Sequence, residues 1–265
     1  SCFFTEGTLF IDRKTELELL EQCYRSDQAE LFVLYGRRRV GKTELLHAFC
    51  ADKPHIFFIA TLSSDSEQLA TFSQQVYGFT HSDVPAGFTF PSWEAALRAL
   101  SEFPTQPKPI IVLDEFTYLI SGNKAIPSIL QKVWDETLKN IPIMMVLCGS
   151  YIGMMEKEVL GYQAPLYGRR TASFLLQPMD LPSSALFFPG YSAEEKFITW
   201  AVVGGMPFYL RTFRDKRDIF SNIRQHILDP QRGTLFNEPR LLLMEELREP
   251  RNYFSILSAI AQGRT

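Results

Sequence analysis

Cysteine is scarce and scattered in this chain. The four residues, Cys2, Cys23, Cys50 and Cys148, lie far apart with no C-x-x-C pair. That spacing argues against a disulfide framework and against a structural zinc site. It suits reduced, buried thiols in a cytosolic protein. Long apolar runs are missing too. The most apolar stretch, 141–148, falls far short of the roughly 20 residues a bilayer crossing needs, and no signal peptide is evident. Charge of one sign does not dominate: the formal net charge of −3 carries no global signature of nucleic-acid or membrane binding. Repeats and low-complexity tracts are absent. What is left is an ordinary globular composition, 46% apolar and 22% charged over 265 residues. That length suffices for one large core, or a core with a small accessory domain. The chain begins at Ser1 rather than Met and stops abruptly at Thr265, so it is expected to be a fragment.

Against this plain background one stretch stands out. Gly36-Arg37-Arg38-Arg39-Val40-Gly41-Lys42-Thr43 matches G-x-x-x-x-G-K-[ST] at every fixed position. An apolar run, 31–35, precedes it and reads as a buried strand. Glu44 and the residues to Cys50 read as a helix with Leu45, Leu46 and Phe49 on one face. Strand, glycine loop and helix form the context of a phosphate-binding loop. Glycines let backbone N–H groups curl around an anion, and the helix N-terminus adds partial positive charge. Lys42 is expected to reach the β- and γ-phosphates and the Thr43 hydroxyl to hold Mg²⁺.

Taken in order, Phe10-Ile11-Asp12-Arg13 leads into a helix with Leu17, Leu20 and Tyr24 on one face, and Asp12 is its expected N-cap. Strands are expected at 55–60, 110–113, 141–148 and, more weakly, 171–176. Ser64 and Glu67 form a capping box opening a helix with Leu69, Phe72 and Val76. Ser92 is expected to cap a helix carrying Trp93, Ala96, Leu97 and Leu100. Three prolines in 104–109 end that helix. Alternating strands and helices imply a mostly parallel sheet covered on both faces. After about residue 188 the character changes. Ser192 and Glu195 form a second capping box, Gly204-Gly205-Met206-Pro207 interrupts, and helical patterns follow with no strand evident. A last helix begins at Tyr253 and stops at Gly263.

Hydrolysis needs a carboxylate to help hold Mg²⁺ and a group to activate water. Asp114-Glu115 follows four apolar residues at the C-terminal end of a buried strand, where ligands of an open α/β sheet sit. Asp114 is assigned to the metal through water and Glu115 to the base. A guanine reader would need N-K-x-D, and Asn123-Lys124-Ala125-Ile126 lacks the Asp, so ATP is the expected nucleotide. Ser150 could place a hydroxyl near the γ-phosphate, or be a plain turn residue. Arg169, in Pro165-Leu166-Tyr167-Gly168-Arg169-Arg170, could reach transition-state charge, or be a solvated loop arginine. The three loop arginines could touch phosphates, dock a partner carboxylate or face solvent; no flanking basic surface supports a nucleic-acid patch.

These motifs, in this order, resemble the archaeal-type ATPases, AAA+-like P-loop proteins close to the signal-transduction ATPases with numerous domains. The resemblance covers nearly the whole chain. It rests on Phe10-Ile11-Asp12-Arg13, GRRRVGKTELL (36–46), IIVLDEFTYL (110–119), LCGS (147–150), PLYGRRT (165–171), FFPGYSAEEK (187–196), GGMPFYL (204–210) and EELREPRNYFSILSAIAQGRT (245–265). It implies that Ser150 is a polar sensor and Arg169 a phosphate-sensing arginine, acting within one chain or across a subunit interface. Gly205 and Pro207 resemble a lid motif contacting the nucleotide, and Asp12-Arg13 the segment flanking adenine. It also implies that Tyr253–Thr265 starts a winged helix.

The expectation is thus an α/β, three-layer P-loop NTPase core with a parallel five-stranded sheet at 1–188. A small all-helical lid at 189–249 and the first helix of a winged helix at 250–265 follow. The chain is read as a cytoplasmic, Mg-dependent ATP-hydrolysing switch, with ATP between core and lid and its output passed to a protein partner or a C-terminal effector. Oligomerisation is compatible with this reading. A nucleotide-holding module with negligible turnover and a small-molecule kinase are the alternatives.

Overall fold

The computed structural model describes residues 2–5, 8–246 and 250–263. Residues 247–249 and 264–265, within the C-terminal segment that carries part of the resemblance, lie outside them. The chain opens with a hairpin of β1 (Cys2–Thr5) and β2 (Thr8–Ile11), antiparallel with Phe3 opposite Phe10. Strands of four residues are too short for a periodicity signal, and this hairpin was not legible in the sequence.

β2 leads into α1 (Lys14–Arg25). Asp12 is not its N-cap, contrary to expectation. Arg13 takes that position, and both residues adopt the left-handed conformation, with φ of 59° and 67°. The Arg13 side chain accounts for the exchange. Its Nη1 donates to Glu16 Oε1 at 2.9 Å and its Nη2 to the Val40 carbonyl at 3.0 Å. A buried guanidinium therefore ties the helix start to the phosphate loop where a carboxylate cap was expected.

Next come β3 (Glu30–Tyr35), α2 (Lys42–Cys50), β4 (His55–Ile59), α3 (Asp65–Thr80) and α4 (Trp93–Ala99). They are followed by β5 (Ile110–Asp114), α5 (Phe116–Gly122), α6 (Ile126–Glu136), β6 (Met144–Gly149), α7 (Ile152–Met155) and β7 (Ala172–Leu175). The five strands from β3 to β7 make one parallel sheet in the order β4-β5-β6-β3-β7. β5 and β6 are buried along their whole length, as the unbroken apolar runs of central parallel strands require. The strand expected at 141–148 starts instead at Met144. Pro142 has no N–H to donate, and a tight turn at 138–140 precedes it.

Alternate residues of the sheet face two layers of helix. Leu31, Val33, Ile111, Leu113, Met145 and Leu147 pack with Phe72, Val76, Trp93, Leu97, Leu130 and Val133 of α3, α4 and α6. Burying each such side chain is worth about 1.5–3 kcal/mol. The opposite face is covered by α1 and α2, with Leu20, Leu45, Leu46 and Phe49 buried. Ser64 and Glu67 form the expected capping box of α3, and Ser92 accepts from Ala95 N to cap α4.

The chain separates into two compact units, Ser1–Gln177 and Pro178–Thr265, so the sequence-derived boundary at 188 sits a little inside the second. That unit contains α8 (Leu181–Ala185), α9 (Ala193–Val203), α10 (Pro207–Leu210), α11 (Ile219–Ile223), α12 (Glu238–Glu246) and α13 (Pro250–Ala261). α8 joins it because it packs on α9, which Ser192 and Glu195 open with the second capping box. No strand occurs among its described residues. Asn222, fully buried, donates to Tyr191 Oη at 2.8 Å and to the Arg214 carbonyl at 2.9 Å, stapling the segment before α11. Among the described residues no helix is long and apolar enough to cross a membrane.

Candidate functional site

The site is built where three neighbouring strands end. β6 lies between β3 and β5, with Tyr35 opposite Gly149 and Leu113 opposite Leu147. This register sets the loop after Tyr35, the acids after Leu113 and Ser150 after Gly149 side by side at the C-terminal edge of the sheet.

The loop's shape follows from its sequence. Gly36 has φ 157°, and a Cβ there would lie 2.6 Å from the Leu176 carbonyl oxygen, so close backbone approach demands glycine. Gly41 has φ 95° and forms the N-cap of α2, and Arg39 is left-handed at 67°. Successive bends of this kind curl N–H groups inward. Lys42 is 5% exposed. Its Nζ donates to the carbonyls of Gly36 at 2.8 Å and Arg37 at 2.9 Å. Burial pushes its pKa below the ordinary lysine value, partly offset by Cys148, Glu115, Asp114 and Glu44. Val40 is buried, with its carbonyl held by Arg13, while Arg37, Arg39 and Glu44 are exposed.

Thr43 Oγ1 donates to Asp114 Oδ2 at 2.6 Å, and Asp114 Oδ1 accepts from Glu115 N at 2.9 Å. Asp114 is 1% exposed. A hydroxyl and a carboxylate converging in this way are the hard oxygen donors that suit Mg²⁺. Glu115 adopts φ 52° and ψ 42° at the N-cap of α5, an uncommon left-handed conformation for this residue. Its Oε1 accepts from Ser150 Oγ at 2.6 Å. The loop, Thr43 with Asp114, and Glu115 with Ser150, each singled out in the sequence, therefore come together.

Arg169 is engaged elsewhere. Its Nε and Nη2 grip Asp135 of α6 at 2.8–3.2 Å, and Nη1 donates to the carbonyls of Pro165 and Tyr167, each at 3.1 Å. Gly205 and Pro207 belong to the second unit. A Cβ on Gly205 would lie 1.8 Å from the Met179 carbonyl oxygen, and Met179 N donates to Gly205 O at 2.8 Å. Packing inside that unit thus explains the glycine, and Pro207 supplies the first residue of α10.

Three residues beside these positions were missed. Cys148 is buried among Lys42, Asp114 and Glu115; burial first, then Asp114, pushes its thiol pKa well up. Asp135 is the partner of Arg169. Tyr118 accepts a hydrogen bond from Arg38 Nη2. Only Tyr118 had a sequence signal, since it lies one helical turn after Glu115.

A family model described as an ATPase domain predominantly from Archaea matches residues 10–213. An uncharacterized protein of Methanocaldococcus jannaschii is 31% identical over 255 residues, 96% of this chain and 55% of that protein. The chain thus spans about half the length of that relative. An uncharacterized ATP-binding protein of the same organism is 51% identical over 45 residues, 17% of this chain and 76% of that protein. Among solved structures, a Walker-type ATPase of Pyrococcus abyssi superposes with a TM-score of 0.62 at 22% identity, over 92% of this chain and 76% of that one. The Holliday-junction branch-migration motor RuvB of Thermotoga maritima gives 0.55 at 15% identity, over 97% and 83%. At these identities the structural likeness speaks for the fold.

Proposed function

The chain belongs to the ATPase-domain family found predominantly in Archaea, and on that premise we propose that it binds Mg-ATP at 36–43 and hydrolyses it slowly as a switch. The observation that carries this reading is the convergence of the two 2.6 Å contacts, Thr43 to Asp114 and Ser150 to Glu115, beside a complete phosphate loop. Lys42 and the loop N–H groups bind the phosphates. Thr43 and Asp114 would hold Mg²⁺, which would offset phosphate charge. Glu115 takes the proton of the attacking water, and Ser150 orients that carboxylate. Arg169 senses the γ-phosphate only after leaving Asp135, either within the chain or toward a second copy.

One observation favours a second reading, a nucleotide-holding module with negligible turnover. The Glu115 carboxylate already accepts from Ser150, a contact that competes with water activation. Calorimetry and single-turnover hydrolysis separate the readings. Lys42→Ala should abolish ATP binding, and undiminished binding would overturn the site. Glu115→Gln should slow hydrolysis by about 10²–10⁴-fold. Equal rates for Glu115→Gln and wild type would leave only the holding role.

A further inference from the structure

We infer that Arg13 is a positioning residue for the phosphate loop: by pinning the Val40 carbonyl it fixes the direction of the Gly41 N–H. This role presupposes 36–43 as the nucleotide site, and it is a role toward phosphate, distinct from flanking adenine. Arg13 and Val40 are 27 residues apart, yet Arg13 Nη2 donates to the Val40 carbonyl at 3.0 Å. The other prong, Nη1, donates to Glu16 Oε1 at 2.9 Å. The Arg13 charge is thus compensated by its neighbour, in a largely buried pair. The planar fork, held at both ends, is a rigid brace from the start of α1 to the loop.

The peptide plane carries the effect. The Val40–Gly41 bond is trans, so its N–H points away from its C=O. Holding the carbonyl on one side turns the Gly41 N–H to the other. Gly41 is the N-cap of α2 and immediately precedes Lys42, where the end of a helix meets an anion. Glycine accepts either sign of φ, so residue 41 does not fix this plane by itself. The bond from Arg13 does. Arg13 is constrained in turn. It and Asp12 are left-handed, a conformation that persists in such residues only where the surroundings enforce it. Ile11 is buried just before them, and Leu17 N donates to the Arg13 carbonyl at 3.0 Å. The strained entry to α1 therefore aims one guanidinium at one loop carbonyl.

The test uses the full chain with Arg13→Met, which keeps an apolar stem and removes both donors, and Glu16→Gln, which removes the ion pair and leaves the Val40 bond. ATP and tripolyphosphate, which has no base, are titrated with Mg²⁺ well below the melting temperature of each apo variant. Arg13→Met should bind both about tenfold more weakly, by the same factor. Its single-turnover rate at saturating ATP should change less than about twofold. Glu16→Gln should bind both within about twofold of wild type. Unchanged affinities in Arg13→Met would overturn the proposal. So would a loss for ATP with none for tripolyphosphate, which would put Arg13 at the base instead. An equal loss in Glu16→Gln would overturn it too, because the ion pair and not the loop bond would then be responsible. If Arg13→Met fails to fold, Arg13→Lys, which keeps the charge and gives up the fork, carries the same readouts with a loss of about threefold. Lys42→Ala is the control. Undiminished ATP binding there removes the site itself, while a loss there beside normal binding in Arg13→Met removes only the role of Arg13.

Discussion

Ser150 Oγ donates to Glu115 Oε1 at 2.6 Å, joining the ends of β6 and β5. Strand pairing alone makes them neighbours, because Leu113 and Leu147 are in register one residue before Asp114 and Cys148. The bond gives the acid a fixed direction. In Ser150→Ala that direction is lost while the carboxylate remains. Single-turnover hydrolysis is expected to fall about tenfold, with little change in ATP affinity, since one hydrogen bond to a charged group is at stake. A faster Ser150→Ala protein would mean that Ser150 restrains Glu115 instead of aiming it.

Thr43 and Asp114 should respond as a pair to metal. Thr43→Val removes the hydroxyl that donates to Asp114 and leaves a buried carboxylate short of a partner. The dependence of ATP affinity on Mg²⁺ should shrink, while binding measured in chelator changes little. Titration calorimetry with and without Mg²⁺ reads the difference.

Buried thiols predict an alkaline instability. Burial pushes the Cys50 pKa up to about 12 and raises Cys148 well above its ordinary value. An unfolded thiol ionises near pH 8.5, roughly. Between that pH and the folded values the native state holds more protons than the unfolded one. Stability is therefore full below about pH 8.5 and declines as the pH rises through the folded values. Lys42 acts in the opposite sense, because its lowered pKa lets the native state shed a proton first. Comparing wild type with Cys50→Ala/Cys148→Ala, both retaining Lys42, isolates the thiols. Urea midpoints should fall more steeply with alkaline pH in the wild type; parallel curves would sink the idea.

Gly205→Ala should destabilise the second unit with no nucleotide present. Its Cβ would fall 1.8 Å from the Met179 oxygen, and backbone must move to relieve that. A cost of about 1–3 kcal/mol or more is expected, visible as a lowered melting temperature of the apo protein. A normal apo melting temperature with weakened ATP binding would instead favour a nucleotide-contact role.

A structural and a sensing reading of Arg169 can be separated by experiment. Asp135→Asn weakens a partly exposed ion pair and should cost about 1 kcal/mol or less. Arg169→Ala loses, in addition, the donors to Pro165 and Tyr167. Slower hydrolysis in Arg169→Ala, but not in Asp135→Asn, would support a sensing role beyond the structural one. Equal rates in both would confine Arg169 to holding its own loop.

Much of the fold was legible because its signals are local. The strand–loop–helix from Leu31 to Cys50, the capping boxes at Ser64 and Ser192, and the buried runs of β5 and β6 each depend on residues a few positions apart. Asp12 misled for the same reason. Its type suits an N-cap, but a long-range bond from Arg13 to Val40 decided the helix start.

By itself the amino-acid order determined the phosphate loop, the acidic strand end and the alternation that makes a parallel sheet. These rest on backbone propensity, apolar periodicity and the glycines the loop demands. Only the tertiary structure decided that β6 lies between β3 and β5, and so which hydroxyl meets which acid. It alone paired Arg38 with Tyr118 and Arg169 with Asp135. The physical reason is that strand order and helix packing minimise the energy of the whole core. Which polar groups come to lie together at its edge follows from that global arrangement, and no short window of sequence encodes it.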